Sequence, residues 1–170
     1  MSKAFTRESD DAPEPPFRLR PASPLPPGAK NYLTVGGAPR LQAELDRLTQ
    51  VERPQLASAV ENPDDRRRLQ SLDLQIQQLD QCLGTAVVVA SPSAPWEQVR
   101  FGATVTVRSR SGEETRYRIV GVDETDLDHG WVSWLSPIAK ALLNANLGQR
   151  VRFKFPSGEA VLEIVAIGYE

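Results

Sequence analysis

The chain has 170 residues, 40% of them hydrophobic, with 20 Lys plus Arg against 22 Asp plus Glu, a formal charge of −2. That length suits one domain or two small ones with a modest core, and the near-neutral balance excludes a protein that grips nucleic acid by bulk charge. Both signs are evenly spread, with four of each in residues 1–28, seven basic and nine acidic in 29–99, and nine of each in 100–170. Any nucleic-acid contact must therefore be local or made through a partner.

Residues 1–28 contain seven of the fourteen prolines and almost no periodic apolar residues. Such a segment cannot bury enough surface to offset its ordering entropy, so residues 1–30 read as a disordered Pro-rich tail. A polyproline ligand is the alternative, because Pro13–Pro16 and Pro21–Pro27 suit an aromatic groove.

The spacing then predicts helix over 34–87. Leu41, Leu45, Leu48, Glu52, Leu56 and Val60 advance by threes and fours. Leu69, Leu72, Ile76, Leu79 and Leu83 repeat that step as an a/d seam of three heptads. Between them Pro63 stops the first helix near Val60, and Asn62 or Asp64 caps the second, whose acidic first turn suits the helix dipole. Two antiparallel helices joined by a short loop are the economical arrangement, a helical hairpin over 31–89. Pro54 lies inside the first helix and predicts a kink, or a cost of roughly 3 kcal/mol.

Residues 90–96 (Ala90-Ser91-Pro92-Ser93-Ala94-Pro95-Trp96) read as a linker, and the period changes after it. Thr104–Arg108 and Thr115–Val122 alternate about Ser111-Gly112-Glu113, a hairpin. Val151–Phe155 and Ala160–Ile167 alternate about Pro156-Ser157-Gly158, a second hairpin. Between them Ser136-Pro137 opens a short helix through Asn144, with serine at the N-cap and proline at the first helical position. The fold class is therefore α+β: an N-terminal antiparallel helical hairpin, then a small antiparallel β-rich domain, 97–170, with one short helix.

Several classes of function fall away. The longest apolar runs, such as Ala86–Ala90 and Trp131–Ile138, are too short for a bilayer, and the N-terminus has no apolar signal core, so a cytoplasmic protein without a membrane partner is expected. One cysteine, Cys82, and one histidine, His129, exclude an intrachain disulfide and the usual His-paired catalytic and zinc sites. Cys82 beside Leu79 and Leu83 reads as a packed thiol, and His129 as a loop residue. Asp123, Glu124, Asp126 and Asp128 lack calcium-loop spacing and read as a solvated turn. Gly36-Gly37 precedes no suitable lysine for a phosphate loop. Trp131 and Trp134 read as straddling the sheet, with one at an interface.

The order of parts resembles the GreA/GreB family of bacterial transcription elongation factors. The matching stretches are Leu41-Gln42-Ala43-Glu44-Leu45, Glu52-Arg53-Pro54, Arg67-Arg68-Leu69-Gln70-Ser71-Leu72-Asp73, Phe101-Gly102-Ala103-Thr104-Val105, Tyr117-Arg118-Ile119-Val120-Gly121-Val122-Asp123-Glu124 and Ser136-Pro137-Ile138-Ala139-Lys140-Ala141-Leu142-Leu143. They span 31–170 in the right order, are closer to the GreB branch, and make Pro54 a family feature. The resemblance implies an FKBP-like C-terminal domain that binds RNA polymerase and a coiled coil that enters its secondary channel. It also implies tip acids that help hold a second Mg2+ at the polymerase active site, where back-tracked RNA is cut by a two-metal mechanism.

The family's acidic tip signature, of the form Leu/Arg-Ser-Glu-Asn-Ala-Asp/Glu-Tyr, has no counterpart here. Anchoring Arg53-Pro54 and Arg67-Arg68-Leu69 leaves the hairpin short by roughly two heptads, about seven residues per helix, which keeps the seam in phase. At 1.5 Å per residue the arm ends roughly 10 Å short, while a carboxylate must lie within about 2–2.5 Å of its cation. Glu61, Asp64 and Asp65 occupy the new tip, as substitute metal-directed acids or as ordinary helix caps. Arg66, Arg67 and Arg68 beside them are RNA or channel contacts or a solvated face.

Ser136, Pro137, Ile138, Ala139 and Ala141, with Asp123 at the rim, are the expected polymerase-docking residues; the same helix also has to pack on the sheet. The expectation is a monomeric, non-enzymatic regulator without a cofactor of its own. It would bind polymerase, meet nucleic acid only through it, and stimulate cleavage poorly. Two alternatives stay open: a full cleavage factor using Asp64 and Asp65, and a peptidyl-prolyl isomerase. The latter rests on fold alone, since Tyr117, Trp131, Trp134 and Phe153 have no evident pocket arrangement. Short-armed relatives called nucleoside diphosphate kinase regulators are near neighbours of the first reading.

Overall fold

A computed structural model describes residues 25–155 and 158–170. The Pro-rich segment before Leu25 and the Pro156-Ser157 turn lie outside the described residues. Among the described residues no helix is long and apolar enough to cross a membrane.

The chain builds an arm and then a platform. The arm opens with strand β1, Asn31–Thr34. Helix α1 (Gly37–Arg47), a π-helical turn (Leu48–Glu52) and helix α2 (Arg53–Ser58) form its outgoing limb. Helix α3 (Pro63–Thr85) returns and runs into strand β2 (Ala86–Val89). Strands β1 and β2 pair in parallel, with Asn31 opposite Ala86 and Thr34 opposite Val89. This corrects the expected helical span of 34–87 at its two ends, where Thr34 and Ala86-Val87 lie on strands. Strands this short are placed by the closure of the hairpin base, which brings both ends of the arm side by side.

Pro54 explains the break in the outgoing limb. Proline has no N–H to give the carbonyl four residues back, and its ring crowds that carbonyl. A π turn widens the ladder at this point, with Arg53 N–H donating five residues back to Leu48 O. The limb therefore resumes as α2 instead of ending at the proline. Leu33, Leu41, Leu48, Leu72, Leu79 and Cys82 form the arm's buried core, flanked by Leu45, Leu56, Ile76 and Leu83. Asn31 Nδ2 donates to Cys82 O at 3.0 Å and approaches Cys82 Sγ at 3.4 Å, so the thiol is packed as expected.

The platform is a five-stranded sheet in the order β5-β4-β3-β7-β6. Its strands are β3 (Thr104–Arg108), β4 (Glu114–Val120), β5 (Trp131–Ser133), β6 (Arg150–Phe155) and β7 (Gly158–Gly168). Both expected hairpins form: β3 with β4, and β6 with β7, are antiparallel. The Ser111-Gly112 turn uses Gly112 at φ +86°, a left-handed conformation that glycine adopts without cost. Strand β5 pairs parallel with β4, which the sequence reading left unassigned because three residues carry no readable period. Helix α4 (Pro137–Leu142) covers one face. Below it Val99, Val105, Val107, Ile119, Leu142 and Ile164 sit in the platform's core cluster.

Candidate functional site: an arm bonded to a platform, with a capped tip and a capped platform helix

Two places in this fold hold the site residues singled out by sequence, and a third joins the arm to the platform. At the tip of the arm, Asn62 caps α3. Its Oδ1 accepts from Asp64 N at 2.9 Å and from Asp65 N at 3.0 Å. Asp65 Oδ2 in turn accepts from Glu61 N at 3.2 Å, so the first-turn acid satisfies the backbone of the residue before the cap. Asp64 pairs with Arg67 at 3.4 Å and Asp65 with Arg68 at 4.0 Å, each one helical turn on. Glu61, Asp64 and Arg66 are exposed, while Asp65 is half-buried. Among the described residues no three His, Cys, Asp or Glu side chains are placed to hold a metal ion. Asn62→Ala should cost about 1 kcal/mol by releasing two N–H groups, measurable as a lower denaturation midpoint with unchanged m-value.

On the platform, Ser136 Oγ accepts from Ala139 N at 3.3 Å and caps α4, with Pro137 in its first turn. This is the capping read from the Ser-Pro pair. The docking residues expected there separate by face. Ile138, at 8% exposure, and Ala139, at 0%, belong to the platform core. These two side chains hold the helix on the sheet and are withdrawn from the surface. Pro137 and Lys140 are exposed, and Ser136 and Ala141 half-buried. Asp123 lies on the 3-10 turn Val122–Glu124, not on the strand, which stops at Val120.

The third place is the junction, which the sequence reading missed. Glu124, taken as part of a solvated acidic turn, is 4% exposed. Its Oε2 accepts from Thr34 N at 2.9 Å and Gly121 N at 3.1 Å, and its Oε1 accepts from Thr34 Oγ1 at 2.5 Å. Arg40 Nη2 stands 3.7 Å away, and Thr34 Oγ1 accepts from Gly37 N at 2.9 Å. One buried carboxylate from the platform is thus bonded to the strand and faces the first helix of the arm. Charge-assisted bonds of this kind are the strong ones, and a buried carboxylate is tolerated only when so satisfied.

Aromatic packing closes the same seam. Tyr32 of β1 meets Trp134 edge-on at 5.3 Å and Phe101 at 5.8 Å. The Arg40 guanidinium lies over the Trp131 ring at 4.4 Å, a cation–π contact from arm to platform. Both tryptophans therefore serve the junction. At the outer edge His129 Nδ1 sits 2.7 Å from Asp126 Oδ2 and helps hold that carboxyl below its usual range. The signal in the sequence was the close-packed glycines. A Cβ on Gly37 would fall 1.7 Å from Glu124 Oε1, and one on Gly121 would fall 2.1 Å from Tyr32 O.

The fold and its three sites define a class: a helical arm, capped at its tip and bonded at its base to a β platform that carries a separate, partly exposed helix. A sequence model described as "Transcription elongation factor, GreA/GreB, C-term" matches residues 93–169. Transcription elongation factor GreB of Neisseria meningitidis is 36% identical over 154 residues, covering 82% of this chain and 94% of its own. GreB of Pseudomonas aeruginosa is 37% identical, covering 81% and 89%. GreA of Alkalilimnicola ehrlichii is 39% identical, covering 83% and 99%. The solved structure of a GreA/GreB factor from Nitrosomonas europaea is 25% identical, covers 82% of this chain and all of its own, and has a TM-score of 0.41. The chain belongs to the GreA/GreB family of transcription elongation factors.

Proposed function

We propose that the protein docks on RNA polymerase through residues 97–170, enters the secondary channel with its short arm, and regulates elongation without efficiently stimulating transcript cleavage. The observation that carries this reading is an aligned span shorter than the relative's, a difference that the Arg53-Pro54 and Arg67-Arg68-Leu69 anchors assign to the arm. The alignment to the Neisseria factor runs over 154 positions but uses only 82% of these 170 residues, about 139. This chain is therefore short of about 15 positions inside the aligned span, close to two heptads. The tip acids support the same reading, because Asp65 is engaged at the helix start and Asp64 lies within reach of Arg67. Any Mg2+ in this scheme is the polymerase's own, and the protein brings no catalytic group.

The alternative, full cleavage stimulation, has one observation in its favour. The Asp64 side chain is 79% exposed and its ion pair is a loose 3.4 Å contact, which a cation would displace at little cost. One experiment decides between the readings. Wild type and the Asp64→Ala/Asp65→Ala variant are added to back-tracked elongation complexes, with binding to polymerase measured in parallel. Binding without cleavage above polymerase alone is the expected result. Cleavage abolished by the double substitution would replace this reading with the alternative, and absence of binding would end both.

A further inference from the structure

The face of the platform sheet that points away from its core carries a charge pattern unlike the rest of this near-neutral chain. On β6 the side chains alternate: Val151 is buried, while Arg150, Arg152 and Lys154 are exposed. Residues two apart on one strand face are about 6.6 Å apart, so these three cations form a row. Across β7, Arg108 of β3 is opposite Glu163, which in turn is opposite Arg150. Two strand spacings, roughly 10 Å, separate the Arg108 edge from the β6 row. Arg110, in the β3–β4 turn, extends the first edge.

Between these edges runs a groove of about 530 Å3 whose lining includes Arg108, Arg110, Arg150 and Arg152 but only one acid, Glu163. Arg108 is paired with Glu114 at 2.8 Å, whereas the two β6 arginines are held loosely. Arg150 stands 3.7 Å from Glu163 and Arg152 3.9 Å from Glu159, with both arginine side chains more than 70% exposed. Exposed pairs of this kind are worth at most about 1 kcal/mol and are readily exchanged for a better anion. Arg110 has no ion-pair partner among the described residues. Four guanidinium groups around one shallow channel suit phosphate, which arginine takes in a bidentate fork.

We infer that this groove binds the sugar–phosphate backbone of duplex DNA, as a contact separate from the arm tip and from α4. The lining decides among polyanions. It contains no aromatic side chain, and single strands are held chiefly by stacking on aromatics. Each strand of duplex DNA presents one charge per about 3.4 Å of axis, so phosphates of one backbone lying roughly 10 Å apart can meet both edges at once. The contact is sequence-independent, because nothing here reaches a base edge.

The test uses the full chain and a labelled 20-base-pair DNA duplex at low salt. Binding should weaken steeply with salt, with a log–log slope near −3 for three to four phosphates. Arg110→Glu/Arg152→Glu should weaken it at least tenfold and flatten the slope. Glu163→Gln should strengthen binding two- to threefold, a gain that misfolding cannot produce. Failure of the wild type to bind, or indifference to the groove substitutions, overturns the inference. So does equal or better binding of single-stranded DNA, duplex RNA or poly-glutamate, which would assign the groove to that ligand instead. Because the polymerase reading is tested by binding to polymerase and transcript cleavage, failure of either leaves the other standing.

Discussion

Gly37→Ala should destabilise the protein by about 2–4 kcal/mol, while Gly36→Ala, one residue earlier, should be neutral or stabilise by up to about 1 kcal/mol. The added carbon is the same; its surroundings differ. At position 36 a Cβ would meet nothing within 4 Å, and the backbone there is already helical at φ −79°. At position 37 it would overlap the Glu124 carboxylate, 1.7 Å from Oε1 and 2.2 Å from Cδ, and crowd Thr34 Oγ1 at 2.9 Å. A surface glutamate would swing aside. Glu124 cannot, because its oxygens accept from Thr34 N, Thr34 Oγ1 and Gly121 N. Moving the carboxylate leaves buried donors without an acceptor on both sides of the junction. Urea denaturation followed by circular dichroism and by tryptophan fluorescence checks the pair, since Trp134 lies in the seam. Equal effects at the two glycines would mean that the junction yields. Glu124→Gln should fall between, because one amide end faces donors it cannot accept from.

This junction also marks where sequence stops being legible. The two hairpins, the seam of Leu72 and Leu79, the Asn62 cap and the Ser136 cap are local features. Each is written in residues a few positions apart, in periods of 2 or 3.6 or in turn chemistry, so each could be read directly. The approach of Thr34 to Glu124 spans 90 residues and leaves only a faint local mark, a glycine that nothing nearby explains. Likewise β1 and β2 are four residues each and separated by the whole arm; their pairing follows from the hairpin closing, not from a strand-length pattern. At Pro54 the sequence indicated a defect but not its form, because a kink and a π turn relieve the same missing N–H. The exposed arginines at 108, 110, 150 and 152 looked dispersed along the chain and converge only once β7 lies between β3 and β6.

Helix α4 offers a second large effect, and it separates the residues that fold this helix from the surface proposed to bind polymerase. Leu142 is 0% exposed within the platform core. Leu142→Ala should cost about 2–5 kcal/mol, from lost transfer free energy plus the cavity left behind. It should weaken polymerase binding only in step with the loss of folded protein, so that binding per folded molecule is unchanged. Pro137 is exposed at the start of the same helix, one turn from Ala141. Pro137→Glu suits a first helical turn electrostatically, so stability should move by less than about 1 kcal/mol. A charge on the outer face should nonetheless weaken polymerase binding about tenfold, near 1.4 kcal/mol. Thermal melts beside a polymerase titration read both quantities on the same samples. If Pro137→Glu binds like wild type while Leu142→Ala does not once corrected for folded fraction, α4 serves the core alone and the docking surface lies elsewhere on the platform.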